Sequence, residues 1–362
     1  MIIQIQPWIS WLEIKEIFKV IRSTFITEGK ATHLFETKTA EMTGSKYAMA
    51  YANGTLGLFA ALKALKIGSG DEVIIPNLTF IATANAVVMA GAKPVFCEID
   101  KDDLGISPSK ISALINKNTK AIMPVHLYGF SCKMDEIVDI AKAHNLKIIE
   151  DAAQGVGVHY KDKHVGTIGD IGVLSYYGNK TITTAEGGMI LTQDKELHQT
   201  CYRLKNHGRD KKGMFVHEHI GYNFAYTDLQ AAIGIAQMKK LKTIINKKRK
   251  IFDRYFNELS SIKQLKFYKI PNQVNPVYWF SSCYTKDKKE LQDYLSKNGV
   301  QTRDFFYPLH LQPCYKSENF NINDDYRVSE DIFNFSLSLP SSVILKEREI
   351  SKVIRLIKSF YS

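Results

Sequence analysis

From about residue 46 to 195, short apolar runs alternate with stretches of helical period. KYAMAYA, DEVIIP, AKPVFCEI, AIMPVHLYG and LKIIED read as strands, and LGLFAALKAL to Leu65, ATANAVVMA and MDEIVDIAKAHN as the helices between them. Such a rhythm predicts strand–helix–strand units around a mainly parallel sheet, an α/β fold. IMPV and KIIE are apolar with little alternation, as strands covered on both faces must be, which puts them mid-sheet. GVLSYYG and GGMILT add two strands joined by the polar loop NKTITTAE.

Around residues 228–260 the pattern changes. Leu241, Ile244, Ile245, Ile251, Phe252, Phe256 and Leu259 recur at spacings near three and four, predicting a long spacer helix. The remainder, with a short strand (VYWFSSCYT) and two helices (DKKELQDYLSKNG and KEREISKVIRLIKSF), reads as a smaller α+β unit. The expected division is therefore 1–245, a large α/β domain with an N-terminal helical segment, and 246–362, a small C-terminal domain. On the long helix, Lys239, Lys240, Lys242, Lys247, Lys248, Arg249 and Lys250 form a basic run without an acidic residue among them. No nucleic-acid-binding signature accompanies it, so a solvated face is expected.

Composition changes the picture little. Of 362 residues 45% are hydrophobic and 23% charged, which excludes disordered and fibrous classes. The 48 basic residues against 37 acidic give +11, suited to an anionic partner without saying which. Five scattered cysteines with no C-x-x-C pair suggest neither a disulfide framework nor a zinc site, and a reducing cytoplasm fits them best. No metal site is expected. The N-terminus lacks signal-peptide features, and no apolar run approaches the ~18 residues of a membrane span.

Three places carry candidate chemistry. Asn53-Gly54-Thr55 lies between a strand and a helix, where a tight turn and unpaired N–H groups suit a phosphate; an ordinary turn capped by Thr55 reads the same way. Asp151 closes the strand KIIED with Gln154 three residues on, at a strand end where ligands gather; a carboxylate there can keep a heteroaromatic nitrogen protonated, or simply cap a helix. Lys180 follows Ser175 in SYYGNKTITTAEGGM, and a lysine withdrawn from water can lose its proton and form a Schiff base with a carbonyl. Phosphate turn, strand-end Asp and later Lys, in that order, make the parts list of a pyridoxal phosphate (PLP) site.

The chain resembles the DegT/DnrJ/EryC1/StrS sugar aminotransferases, through GDEVIIPNLTFIATANAV, PVHLYG, IIEDAAQ, SYYGNKTITTAEGGM and GYNFAYTDLQAAIG, over nearly its whole length. The resemblance implies fold type I of the PLP-dependent aminotransferases. It implies that Lys180 is the cofactor-linked lysine, Asp151 faces the pyridine nitrogen, Gln154 lies near the 3-hydroxyl and Phe80 stacks on the ring. Gly54, Thr55 and Ser175 match phosphate-holding positions, and Asn223 an asparagine lent to the neighbouring subunit's phosphate, so a homodimer with its site at the interface is expected. L-glutamate and a nucleotide sugar are the implied substrates, with neither nucleic acid nor membrane as partner. The YGNKTITT wording is most like members that aminate C4 of nucleotide-diphosphate 4-keto-6-deoxyhexoses for surface-polysaccharide or related amino-sugar biosynthesis. A 3-keto or other keto sugar, or a PLP-fold regulator or nucleic-acid binder without catalysis, are the rival readings. Two departures stand out. Ala185 replaces a usual glycine and is expected only to tighten a loop, whereas Ala225 replaces a frequent arginine, which withholds any substrate contact made through it.

Overall fold

The computed structural model describes residues 1–211, 213–268, 273–316, 320 and 325–362. Its strands are β1 (Tyr47–Tyr51), β2 (Glu72–Pro76), β3 (Lys93–Cys97), β4 (Thr119–Ile122), β5 (Lys147–Asp151), β6 (His159–Tyr160), β7 (Lys163–His164), β8 (Ile171–Ser175), β9 (Gly188–Thr192), β10 (Lys266–Phe267), β11 (Val274–Asn275), β12 (Ser281–Tyr284), β13 (Arg303–Asp304) and β14 (Ser336–Leu339). Seven of them form one sheet in the order β1-β9-β8-β5-β4-β2-β3. Neighbours from β8 through β3 are parallel, while β9 runs against both β1 and β8.

Alternate residues of each strand feed two separate cores, as the two-residue period of a strand requires. Met49, Tyr51, Val73, Ile75 and Val173 pack under the helices Gly54–Ala64, Ala82–Met89 and Lys195–Lys205. Ala48, Ala50, Ile74, Ile148 and Leu174 meet the opposite layer, which includes Phe35, Ile137, Ala231 and Ile235. Both faces are covered: β2 (EVIIP) is apolar from Val73 to Pro76, and β5 (KIIED), expected mid-sheet, is buried at every residue but Lys147. The expected strand AIMPVHLYG is shorter than read: it ends at Ile122, and beyond it only Val125 bridges to Asp151 before the chain turns at Tyr128 and Gly129, both at positive φ. VYWFSSCYT likewise keeps only Ser281–Tyr284 as strand.

The predicted spacer helix is a single helix, Asp228–Leu259, opened by a capping box between Thr227 and Gln230. Its first half buries Ala231 and Ile235 against the large sheet; its second half buries Ile251, Tyr255 and Leu259 in another core with Leu291, Leu337 and Val353. That core belongs to the four-stranded antiparallel sheet β10-β12-β14-β13 and the helices Lys288–Lys297 and Glu347–Tyr361. Ile2 bridges to Val300, so the chain begins against this C-terminal unit.

The solvated-face reading of the basic run is corrected at two positions. Lys239, Lys242, Lys247 and Lys250 are exposed, but Lys240 is buried in an ion pair with Glu13 at 2.5 Å. Lys248, 3% exposed, donates to the carbonyls of Trp279 at 2.9 Å and Ser341 at 3.4 Å. A helix long and apolar enough to cross a membrane is absent among the described residues.

Candidate active site

The carboxyl ends of β1, β2, β5 and β8 open into a cleft of about 290 Å³, the expected place for a ligand in an open α/β sheet. Gly54, Thr55, Phe80, Asp151, Gln154, Ser175 and Lys180 all line it. Asn223 does not: it is exposed, its backbone bridges to Asn206, and its Oδ1 accepts from Ala225 N at 3.3 Å.

At one end the chain leaves β1 and turns into the Gly54–Ala64 helix. The cap is Asn53, not Thr55: Asn53 Oδ1 accepts from Leu56 N at 3.0 Å and its carbonyl from Gly57 N at 3.2 Å. Thr55 is thereby spared, and the backbone N–H groups of Gly54 and Thr55 keep their donors for an anion at the positive end of the helix. The turn must pass tightly over its neighbours. A Cβ on Gly188 would come within 2.5 Å of Asn53 O and 2.8 Å of Gly54 N, and one on Gly54 within 3.3 Å of Ser175 Cβ. Ser175 brings its hydroxyl to the same place from the end of β8.

Asp151, 4% exposed, lies at the other end. No helix follows it, so the cap alternative fails; instead its Oδ1 accepts from Ala153 N at 3.1 Å, and its Oδ2 accepts from Thr83 Oγ1 at 2.7 Å. Burial raises its pKa above the usual carboxylate value, while the Thr83 hydroxyl, the Ala153 amide, Lys180 and His126 oppose the rise. Its neighbour Glu150 points the opposite way, fully buried, accepting from His126 Nε2 at 2.9 Å and from the amides of Gly166, Ile168 and Gly169. These bonds hold the strand end in register. Gln154 Oε1 accepts from Tyr128 N at 2.7 Å, which leaves its NH2 group to donate into the cleft.

Lys180 sits between these ends. Burial pushes its ammonium down to about 8; Asp151 opposes the drop and Arg303 adds to it. Its Nζ lies 4.3 Å from the centre of the Trp279 ring, whose Nε1 donates to Asn179 O at 2.7 Å, so the tryptophan holds the loop as well as the lysine. Phe80 presents a half-exposed ring (53%) tilted against Phe306 at 5.7 Å. The cleft thus offers an anion cradle, a buried carboxylate, a lysine of lowered basicity and an open aromatic face.

The sequence profile of the DegT/DnrJ/EryC1/StrS aminotransferase family matches residues 9–358. The chain belongs to this family. A GDP-perosamine synthase of Escherichia coli O157:H7 is 40% identical over 361 residues, 99% of this chain and 98% of the relative, and a GDP-perosamine synthase of Vibrio cholerae is 35% identical over 99% and 98%. Among solved structures, a sugar aminotransferase from Streptococcus pneumoniae in its PLP form superposes with a TM-score of 0.93 at 25% identity, covering 99% of this chain and 98% of that one. PLP is the family's cofactor, and the cleft fits it. The unpaired Gly54 and Thr55 amides suit its phosphate, the buried Asp151 its ring nitrogen, the Gln154 amide its 3-oxygen and Lys180 its carbonyl carbon.

Sequence reasoning missed Thr83, Trp279, Phe306 and Arg303. Thr83 stood inside a helix read only for its apolar period, and the other three reach the cleft from more than 120 positions beyond Asp151. An aromatic run, VYWF, was the one local signal for Trp279. Ala185 does more than tighten a loop: its φ of 71° is left-handed, a conformation that costs a non-glycine residue about 1–2 kcal/mol.

Proposed function

We propose that the protein transfers the amino group of L-glutamate to C4 of a nucleotide-diphosphate 4-keto-6-deoxyhexose, most readily a GDP-linked one, in the making of a surface-polysaccharide amino sugar. The observation that carries the reaction is the meeting of Lys180 and Asp151 in one cleft, with Gly54 and Thr55 amides at its far end. The sugar rests on the full-length likeness to GDP-perosamine synthases.

PLP, when bound, supplies a carbonyl that takes up the amino group and a ring that withdraws electrons from the donor's Cα. Gly54, Thr55 and Ser175 hold the phosphate, and Phe80 and Gln154 fix the ring's plane and rotation. The Asp151 carboxylate keeps the proton on the ring nitrogen, Thr83 orienting it from behind. Lys180 Nζ, of lowered basicity, would hold the cofactor's carbonyl carbon and would be the base that moves the proton at the donor's Cα.

In this reading residues 1–245 carry the cofactor, 246–362 close the cleft with Trp279, Arg303 and Phe306, and the enzyme works in the reducing cytosol that its scattered cysteines suit. It works as a homodimer. Asn223 is exposed and lines no part of its own cleft, as a residue lent to a neighbour would, and Trp11, Ile14, Phe18 and Ile21 leave an apolar stripe exposed along the Trp11–Ser23 helix. Mass spectrometry after incubation with glutamate and a panel of GDP-, dTDP- and UDP-linked keto sugars tests the substrate. A mass change matching ketone-to-amine conversion in a 4-keto-6-deoxyhexose supports the reading; conversion of 3-keto sugars alone, or of none, overturns it.

A further inference from the structure

Arg303 enters the cleft from the C-terminal unit, on a strand so short that its direction is set by pairing: Arg303 opposes Ser338 and Asp304 opposes Leu337 on β14. Consecutive strand residues point to opposite faces. Asp304 accordingly turns away, taking Lys288 at 2.9 Å and Gln292 at 3.2 Å, and does not neutralise the arginine beside it. Among the described residues no carboxylate lies within ion-pair distance of the Arg303 guanidinium, which rests 5.5 Å over the Phe280 ring. Phe280 stacks on Trp279 at 4.0 Å, and Trp279 carries the Lys180 ammonium at 4.3 Å. Two cations of one cleft thus stand on adjoining rings, close enough that Arg303 acts on Lys180 through space.

We infer that Arg303 binds the α-carboxylate of the amino donor and so selects an amino acid, rather than a plain amine, for the first half of the reaction. A planar guanidinium matches a carboxylate through two parallel N–H···O bonds. Geometry selects which anion it meets. An amino acid bears its carboxylate on the same carbon as the amine that displaces Lys180, so the negative charge must arrive beside that lysine. The acceptor also brings an anion, its diphosphate, but joined to C1, with the hexose ring between it and the reacting C4. The anion nearest Lys180 is therefore the donor's. The Phe280 ring lies under a guanidinium that stays exposed to an arriving carboxylate.

This inference rests on the aminotransferase reading and is tested without the sugar. PLP-loaded parent, Arg303→Gln and Arg303→Lys are mixed with L-glutamate and, separately, L-alanine, and the change in the cofactor's visible band is followed over one turnover to give an apparent Kd and a limiting rate. GDP binding to each is measured by calorimetry, and cofactor content by absorbance. Arg303→Gln should weaken both amino acids by about 10- to 100-fold, as loss of a charged hydrogen-bonded contact does. Arg303→Lys should recover part of that loss, with GDP binding within about threefold of the parent and cofactor content unchanged. Amino-acid Kd values within twofold of the parent overturn the inference. So does weakening of GDP in step with the amino acids, which would place the diphosphate there, or weakening of glutamate alone, which would place its side-chain carboxylate there. Failure of the parent itself to react with glutamate would instead remove the aminotransferase reading.

Discussion

Replacing Asp151 by Asn separates the two demands on that residue, because it removes the charge and keeps the shape. Asp151 Oδ1 accepts from the Ala153 amide, which cannot turn, so the Asn oxygen must take that position. The Asn NH2 group then faces Thr83, whose hydroxyl can rotate to accept and donate onward to Thr79 Oγ1 at 3.2 Å. Every polar group thus keeps a partner. Burial already raises the Asp151 pKa, so the carboxylate costs the cofactor-free protein stability at neutral pH, and Asp151→Asn should leave its thermal midpoint unchanged or higher. Catalysis should move in the opposite direction. An amide cannot hold the ring nitrogen protonated, and losing one charge of a buried pair costs about 3–5 kcal/mol, a rate loss of about 10²- to 10⁴-fold. Thermal melts of the cofactor-free protein and single-turnover rates with glutamate make the comparison. A rate within about tenfold of the parent would refute the role given to this carboxylate, whatever the stability.

Two further outcomes follow from particular contacts. Gly188→Ala drives a Cβ into the Asn53 and Gly54 backbone; PLP affinity should fall about tenfold or more, read by fluorescence titration, and a parent-like Kd would mean that this turn does not hold the phosphate. Lys248 is held down to about 7 by burial and returns to about 10.5 on unfolding, so its penalty is complete below pH 7 and is relieved as pH rises from 7 towards 10.5. Urea unfolding of the cofactor-free protein across that range should show stability rising with pH, less steeply in Lys248→Met; equal slopes would contradict the buried placement.

Much of this site lay open in local sequence. Asp151, Ser175 and Lys180 sit at or just beyond strand ends, and a strand that runs parallel within a covered sheet announces itself by its apolar run. What stayed hidden depended on tertiary partners. Asn53 and Thr55 are both good caps by residue type, and only the folded turn, packed close against Ser175 and Gly188, shows that Asn53 takes the Leu56 amide. The run from Lys239 to Lys250 looked uniformly solvated because nothing in it reveals Glu13, more than 220 positions earlier, or the carbonyls of Trp279 and Ser341. Trp279 and Arg303 carry no motif of their own, and they become part of the site through the packing of β12 and β14 against the Asp228–Leu259 helix, the pairing of β13 on β14, and the Trp279 bond to Asn179.

In the proposed reaction Lys180 performs the amino transfer in this cleft. The most direct measurement is the 2-oxoglutarate released when PLP-loaded protein meets L-glutamate alone, compared between the parent and a Lys180→Ala variant shown by circular dichroism to keep its fold. The parent should release about one equivalent per site, with loss of its visible absorbance band, and the variant none. Release from Lys180→Ala at a rate within tenfold of the parent would contradict it.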